Sequence, residues 1–278
     1  ARMYDCNTAS APTPLLGHAS GVVSAKSGMN ASLLFRASAL RRGAPGRIAH
    51  RHARTVCQSS NLKTQQTLVF VPPHPLVSHW VAVARNAASP PPMFRAALAE
   101  LGRLLIYEAT RDWLPTLEGS VATPCGTAEV TFIDPGQPVK VVPILRAGLT
   151  LLESAATLLP SSQTFHVGYR RDEETLVATP YLNKLPASFT PEDRILVTDP
   201  MLATGGTMRQ VIQDLVDRGA APGMIRIVSA VCAPPALKLL ADKFVGLKIY
   251  TGIIDAEVNE QGFIIPGLGD AGDRAFGT

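Results

Sequence analysis

Ile195-Leu196-Val197-Thr198-Asp199 is an apolar run that ends in an acid, and Ala203-Thr204-Gly205-Gly206-Thr207 follows it at the start of a segment with helical period. That order reads as strand, loop and helix N-terminus. Backbone N–H groups and two hydroxyls converge there on the positive end of a helix dipole, which makes a cradle for a phosphate. The glycines let the backbone close on a ligand, and Asp199 stands where sugar hydroxyls can donate to it. An acid and a Gly-Gly turn after a strand also make ordinary βα connections, so these residues alone leave both readings open.

Two other stretches could join that chemistry. Lys140-Val141-Val142-Pro143-Ile144-Leu145 is nearly continuous in apolar residues, the pattern of a strand buried on both faces of a sheet. It runs into Arg146-Ala147-Gly148, which puts an arginine at a strand's carboxyl end, where open α/β sheets bind ligands. The alternative is a plain surface arginine. The stretch from Gly262 to Arg274 fits neither helix nor strand, yet Ile264, Ile265 and Leu268 are apolar enough to hold it down. A pinned glycine-rich backbone offers its N–H and C=O groups to a small planar ligand.

The elements that must position these residues follow from periodicity. Thr67 to Val71 reads as a strand broken by Pro72-Pro73-His74-Pro75, and the folded domain starts at 65. After Pro90-Pro91-Pro92, Phe94, Ala97, Leu98, Leu101, Leu104 and Leu105 share one helical face. Asp112 and Glu118 near its end fall on solvated loop. Ala128 to Asp134 and Thr164 to Tyr169 read as strands, and Leu149 to Leu159 has helical spacing. The run Arg170-Arg171-Asp172-Glu173-Glu174 is mostly a solvated turn, and Leu176 to Leu185 is an extended arm that could pair with another subunit.

Met208, Val211, Ile212, Leu215 and Val216 form the buried stripe of the helix after the Gly-Gly turn. A strand (Met224 to Cys232), a Pro-initiated helix (Pro234 to Phe244) and a strand (Leu247 to Asp255) complete the order. The fold class is α/β: a doubly wound, mainly parallel sheet with helices on both faces.

Charge is unevenly placed along the 278 residues. Residues 1–60 carry +7 and the rest −3, so the basic balance belongs to a leader and gives no nucleic-acid-binding surface. Residues 1–64, rich in Ala, Ser and Arg and nearly free of acids, have the composition of an organellar transit peptide, chloroplast or mitochondrial. A disordered basic tail in a cytoplasmic protein is the other reading. Nothing reaches about 18 consecutive apolar residues, so no membrane span is expected. The cysteines, at 6, 57, 125 and 232, have neither CxxC spacing nor histidines at ligand distance, and no metal site is expected.

Three segments now coincide: Val142-Pro143-Ile144-Leu145-Arg146-Ala147-Gly148, Asp199 to Thr207, and Ile264-Ile265-Pro266-Gly267-Leu268-Gly269-Asp270-Ala271-Gly272-Asp273. Together they resemble the uracil phosphoribosyltransferases, and the resemblance runs from His74-Pro75-Leu76 through Tyr107-Glu108-Ala109-Thr110 to Phe276-Gly277-Thr278. It implies the type I phosphoribosyltransferase fold and the reaction of uracil with 5-phosphoribosyl diphosphate to give UMP and diphosphate, a step of pyrimidine salvage, with Mg²⁺ carried by the diphosphate. By matching position, Met201, Leu202, Ala203, Thr204, Gly205, Gly206 and Thr207 would bind phosphoribosyl diphosphate, with the 5′-phosphate at Thr204 to Thr207 and the ribose hydroxyls on Asp199. Arg146 and Arg171 would meet the diphosphate, Arg170 being the neighbour that a one-residue shift puts in Arg171's place. The backbone of Ile264, Gly269, Asp270 and Ala271 would hold uracil, with Asp270 also near the ribosyl group. Asp199, Arg146 and Asp270 are the catalytic candidates; Asp270 either takes the uracil N1 proton or only positions substrate.

The resemblance also implies a homodimer or larger assembly and, as in some relatives, control by GTP. A silent regulatory protein that binds phosphoribosyl diphosphate or UMP in the same fold is the alternative function. Kinase activity is not expected, because the chain has no G-x-x-x-x-G-K-[ST].

Overall fold

The computed structural model describes residues 67–171 and 178–278. The leader expected at 1–64, the acids Asp172 to Glu174 and the start of the arm at Leu176 lie outside the described residues. The first strand is Leu68–Phe70 (β1). The helices Pro75–Arg85 (α1) and Pro91–Thr110 (α2) follow, and α2 buries Phe94, Ala97, Leu98, Leu101 and Leu105 as its spacing requires.

Helix α1 is not anticipated, because Pro72 to Pro75 reads as a break in sequence. The break is the helix start. Pro75 sits in the first turn, where its missing N–H has no intrahelical partner to lose, and His74 Nδ1 caps the helix by accepting from Leu76 N at 3.1 Å.

Thr116–Thr123 (β2) and Gly126–Ile133 (β3) pair as an antiparallel hairpin separate from the main sheet. Glu118 therefore lies on a strand, not a loop, and accepts from Thr131 across the pair at 3.1 Å. Asp112 is solvent-facing as expected, but it has a partner: buried Arg226 donates to it at 2.9 Å, which holds its carboxyl below the usual value.

The main sheet takes in Val139–Leu145 (β4), Ser162–Thr164 (β5), Val167–Arg171 (β6), Ala178–Asn183 (β7), Ile195–Thr198 (β8), Met201–Leu202 (β9), Ile225–Cys232 (β10) and Lys248–Ile254 (β11). Strand order is β1-β11-β10-β8-β4-β6-β7, with β5 on β4 and β9 on β10. All its pairings among the described residues are parallel except β6 with β7.

Neighbouring residues on the central strands point into different cores. Val141, Leu196 and Val228 pack with α1 and α2, whereas Val142, Ile195, Val197 and Ile227 pack beneath Gly206–Asp217 (α3) and Pro234–Lys243 (α4). Side chains alternate along a strand, so covering both faces demands an unbroken apolar run. The sheet is therefore doubly wound, as expected.

Four local expectations are corrected. The segment 149–159 forms two short 3₁₀ turns, Ala147–Leu152 and Ala156–Leu158, instead of one helix. It is pressed onto α2 at Gly102, where a Cβ would stand 1.9 Å from Leu151 O, and this approach overrides the helical period. The strand expected at 164–169 breaks at Phe165, whose ring turns to meet Phe189 edge-on, 6.5 Å between centroids. Residues 178–183 are extended, but they pair with β6 of the same chain; Pro180 is tolerated because β7 is the sheet's edge. The tail is more regular than expected, with Glu257–Val258 (β12) and Ile264–Ile265 (β13) antiparallel and a last helix, Ala271–Phe276 (α5). No helix among the described residues is long and apolar enough to cross a membrane.

Candidate active site

The adjacent parallel strands β4 and β8 end side by side, with Pro143 in register with Thr198. Their loops are locked together just beyond: Thr198 Oγ1 donates to Gly148 O at 2.9 Å, and both groups are buried. A Cβ on Gly148 would lie 2.3 Å from Thr198 O, so the small residue after Arg146 is a condition of this approach.

Asp199 leaves the sheet with its own N–H donating to Val228 O at 3.1 Å, and its Oδ1 accepts from Met201 N at 3.4 Å. Strand β9 then ties the loop back onto β10. Gly205 takes the N-cap of α3 at φ +80°, a conformation that side chains resist, and a Cβ there would come within 3.0 Å of Ala236 Cα. A glycine cap brings no side-chain acceptor, so the first turn of α3 presents its N–H groups and positive dipole end to an anion.

A cavity of about 310 Å³ opens over this loop. It is lined by Asp199, by Met201 through Met208, by Tyr169 and by the tail residues Gln261 to Ile264 and Asp270. Beside it lies an open cleft of about 450 Å³ formed by Leu145, Arg146, Tyr169, Arg170, Tyr181, Asp270, Gly272 and Asp273. Tyr169 and Asp270 line both.

The tail is pinned by charge as well as by burial. Asp255, 5% exposed, forms an ion pair with Arg85 and accepts from Gly267 N at 2.9 Å. Arg274 donates to Ala84 O and Leu268 O at 2.6 Å and to Asn86 O at 2.7 Å, with its guanidinium 4.2 Å from the Phe94 ring centre. Burial pulls the Arg274 pKa down from its ordinary value. Asp270 caps α5 by accepting from Asp273 N at 3.0 Å, so it has a structural task besides facing the cavity.

Arg146 is more exposed than Asp255 and Arg274. Its guanidinium is half exposed, 3.4 Å from Asp273, 3.5 Å from Thr278 Oγ1 and 5.6 Å from the Phe276 ring centre. Exposed ion pairs of this kind are worth about 0–1 kcal/mol, so an anionic ligand can displace them.

A family model, Uracil phosphoribosyltransferase, matches residues 71–278. The chain belongs to the uracil phosphoribosyltransferase family. A uracil phosphoribosyltransferase from Nicotiana tabacum is 55% identical over 221 residues, 80% of this chain and 99% of the relative. One from Nostoc is 58% identical over 215 residues, 77% of this chain and all of the relative. The chloroplastic uracil phosphoribosyltransferase of Arabidopsis thaliana is 56% identical over 215 residues, 77% of this chain and 73% of its own. Among solved structures, the AQ2163 protein of Aquifex aeolicus superimposes with a TM-score of 0.68 at 35% identity, over 75% of this chain and 98% of that one. The chain is thus a glycosyltransferase-class enzyme whose reaction is phosphoribosyl transfer to uracil, and these relatives give no support to the silent regulatory alternative.

Most of the residues expected at a uracil phosphoribosyltransferase site come together here. Arg146, Asp199, Met201 to Thr207, Ile264 and Asp270 line the cavity or the cleft. Gly269 and Ala271 line neither: Gly269 is exposed at φ +76°, and Ala271 is fully buried at the start of α5. Arg170 lines the cleft, while the side chain of Arg171 lies outside the described residues. Sequence reasoning missed Tyr169, Tyr181, Gln261, Phe263, Gly272 and Asp273. Tyr169 had a signal: it shares a strand face with buried Val167, two residues before it, so its ring lies on the α3 side of the sheet.

Proposed function

We propose that phosphoribosyl diphosphate lies across the cavity and the cleft, with its 5′-phosphate on Thr204 to Thr207, its ribose hydroxyls on Asp199 and its diphosphate at Arg146 and the Arg170-Arg171 pair. Uracil lies against the tail at Ile264 and Asp270, the two of its four expected partners that line the cavity, with Gly269 and Ala271 flanking Asp270 in the chain. The observation that carries this reading is the meeting of the Asp199–Thr207 loop with Ile264 and Asp270 in one cavity that adjoins Arg146.

The chemistry asks for these groups. Cleavage between ribose C1 and diphosphate builds positive charge on the sugar and negative charge on the leaving group, so positive charge fixed in advance beside the diphosphate lowers the barrier. Arg146 can present two parallel N–H donors to phosphate oxygens. Mg²⁺ fits the donor set as a substrate-borne ion. Among the described residues no group of three or more His, Cys, Asp and Glu side chains could hold a metal, and Mg²⁺ is commonly held by substrate phosphates with one or two carboxylates, here Asp199 and Asp270. Bound there, it would add positive charge to the leaving diphosphate.

Base choice follows from polarity. Uracil presents an N3–H donor and an O4 acceptor, cytosine the reverse, so backbone groups that pair with one oppose the other, by about 10⁴ in sites of this type. Asp270 borders the same space and is the residue to test for the uracil N1 proton.

The same reading extends to UMP salvage in a plastid, supported by the chloroplastic relative and the acid-poor leader composition. A homodimer or larger assembly is supported by the β2–β3 hairpin, which stands apart from the main sheet with Leu117 and Phe132 exposed. The test of the site assignment is titration of phosphoribosyl diphosphate into the wild type, Thr207→Ala and Arg146→Ala. Weaker binding in both variants supports it, and unchanged binding in either removes that residue's role.

A further inference from the structure

The hairpin β6–β7 brings Tyr169, Arg170 and Tyr181 to the cleft, yet the main sheet holds only its base. Strand β6 pairs with β4 at Val167 and Gly168 alone, and beyond Gly168 the register with β7 slips at Tyr181. Among the described residues, the strand pairing of the hairpin from Tyr169 outward lies only within itself.

Among the described residues, one carboxylate on α3 ties the hairpin to the rest of the molecule at both Tyr169 and, opposite Val167 at the base, Asn183, beside the packing of the Tyr169 ring against the core. Asp214 Oδ2 accepts from the Tyr169 hydroxyl at 2.6 Å and from Asn183 Nδ2 at 3.3 Å, so both strands of the hairpin meet the same oxygen. Its other oxygen accepts from Gln210 Nε2, one turn earlier on α3, at 3.1 Å, which steadies the carboxylate on the helix. Burial and the neighbouring carboxylate push the Tyr169 hydroxyl well above its ordinary pKa, so it remains a donor through the neutral range. Helix α3 also begins at the glycine-capped turn that faces the cavity.

We propose that Asp214 is a positioning residue for phosphoribosyl diphosphate: by holding Tyr169 and Asn183 it fixes the Arg170 side of the cleft at a set distance from the N-terminus of α3. The two charged ends of the substrate then meet groups anchored on one helix. This rests on the substrate placement given above. Asp214 itself lines neither the cavity nor the cleft; it acts through Tyr169.

The experiment is steady-state kinetics on the full chain for wild type, Tyr169→Phe, Asp214→Ala, Asp214→Asn and Arg146→Ala, with thermal midpoints for each. Tyr169→Phe keeps the ring and removes only the donor, so it decides the matter even if Asp214→Ala folds poorly. Loss of a hydrogen bond to a charged acceptor predicts a rise in KM for phosphoribosyl diphosphate of about tenfold in Tyr169→Phe and in Asp214→Ala. KM for uracil stays near wild type, and the thermal midpoint of Tyr169→Phe falls by no more than several degrees, so the variant remains folded under assay conditions. Asp214→Asn, which keeps an oxygen for Tyr169, recovers most of the loss, and a double variant combining Tyr169→Phe with Asp214→Ala is no worse than Asp214→Ala alone. An unchanged KM for phosphoribosyl diphosphate in folded Tyr169→Phe, or equal rises for both substrates, overturns the proposal. If those variants are silent while Arg146→Ala is impaired, the coupling is wrong and the site stands; if Arg146→Ala is silent too, the substrate placement fails and the proposal falls with it.

Discussion

Arg146 and Asp273 are 127 positions apart in the chain, and their side chains meet at 3.4 Å. The contact joins the loop after β4 to the last helix, so the arginine that faces the cleft is held by the segment that borders the uracil side. Replacing Arg146 by Ala should lower kcat/KM by about 10²-fold, the scale of losing one positioned charge-stabilising donor. Arg146→Lys should recover only part of it, because an ammonium cannot give the two parallel N–H bonds. Asp273→Asn, which weakens only a half-exposed pair, should shift the thermal midpoint little. Initial rates and a melting curve on the three variants check this.

Asp199→Asn should separate function from stability. An amide can still accept from Met201 N, and the backbone bond to Val228 does not depend on the side chain. Turnover should fall by at least about tenfold, a loss of roughly 1.4 kcal/mol in transition-state stabilisation, while the thermal midpoint moves by no more than a few degrees. Equal losses in both would mean that the acid is structural.

The glycines of the site make a steric prediction. Gly148→Ala drives a Cβ to 2.3 Å from Thr198 O, and the loops of β4 and β8 must part to admit it. Overpacking of this kind costs about 1–3 kcal/mol, to be read from denaturant midpoints. Gly205→Ala meets both the φ +80° backbone and Ala236 and should weaken phosphoribosyl diphosphate binding along with stability.

The tail's anchor should govern the base. Arg274→Ala leaves the carbonyls of Ala84, Leu268 and Asn86 without that donor, all three at the tail or beneath it. KM for uracil should rise by about tenfold or more and that for phosphoribosyl diphosphate by less, since unsatisfied carbonyls on buried residues, here Ala84 and Leu268, cost about 1–3 kcal/mol. A rise confined to phosphoribosyl diphosphate would contradict the assignment of the tail to uracil.

Cysteine reactivity offers a check by pH. Burial pushes the Cys232 thiol up to about 12, and Cys232 is fully buried at the end of β10. Only thiolate reacts, so at pH 8 Cys232 stays protonated and unalkylated in native protein while exposed Cys125 is modified. Peptide mass spectrometry after iodoacetamide treatment reads both; early alkylation of Cys232 would mean that β10 opens readily.

Much of this site was legible because local chemistry and global position agree. The apolar runs at 140–145 and 195–198 could only be strands covered on both faces, and each ends in the residue that faces the ligand space, Arg146 or Asp199. Gly205 and Gly206 were legible as a helix start, and the structure puts Gly205 at the N-cap of α3 beside the cavity. What stayed hidden depends on contacts distant in sequence. Nothing local tells that Asp112 meets Arg226, that Tyr169 meets Asp214, or that β7 folds back on β6 instead of reaching outward. Helix α1 was hidden for another reason: a proline that ends a strand and a proline that begins a helix look alike until His74 is seen to cap it.

The most direct test of the account is product formation by the full chain with uracil, phosphoribosyl diphosphate and Mg²⁺, followed by chromatography of nucleotides. UMP should appear together with an equal amount of diphosphate, with cytosine giving about 10⁴-fold less product. Folded protein that binds phosphoribosyl diphosphate but forms no UMP would contradict it.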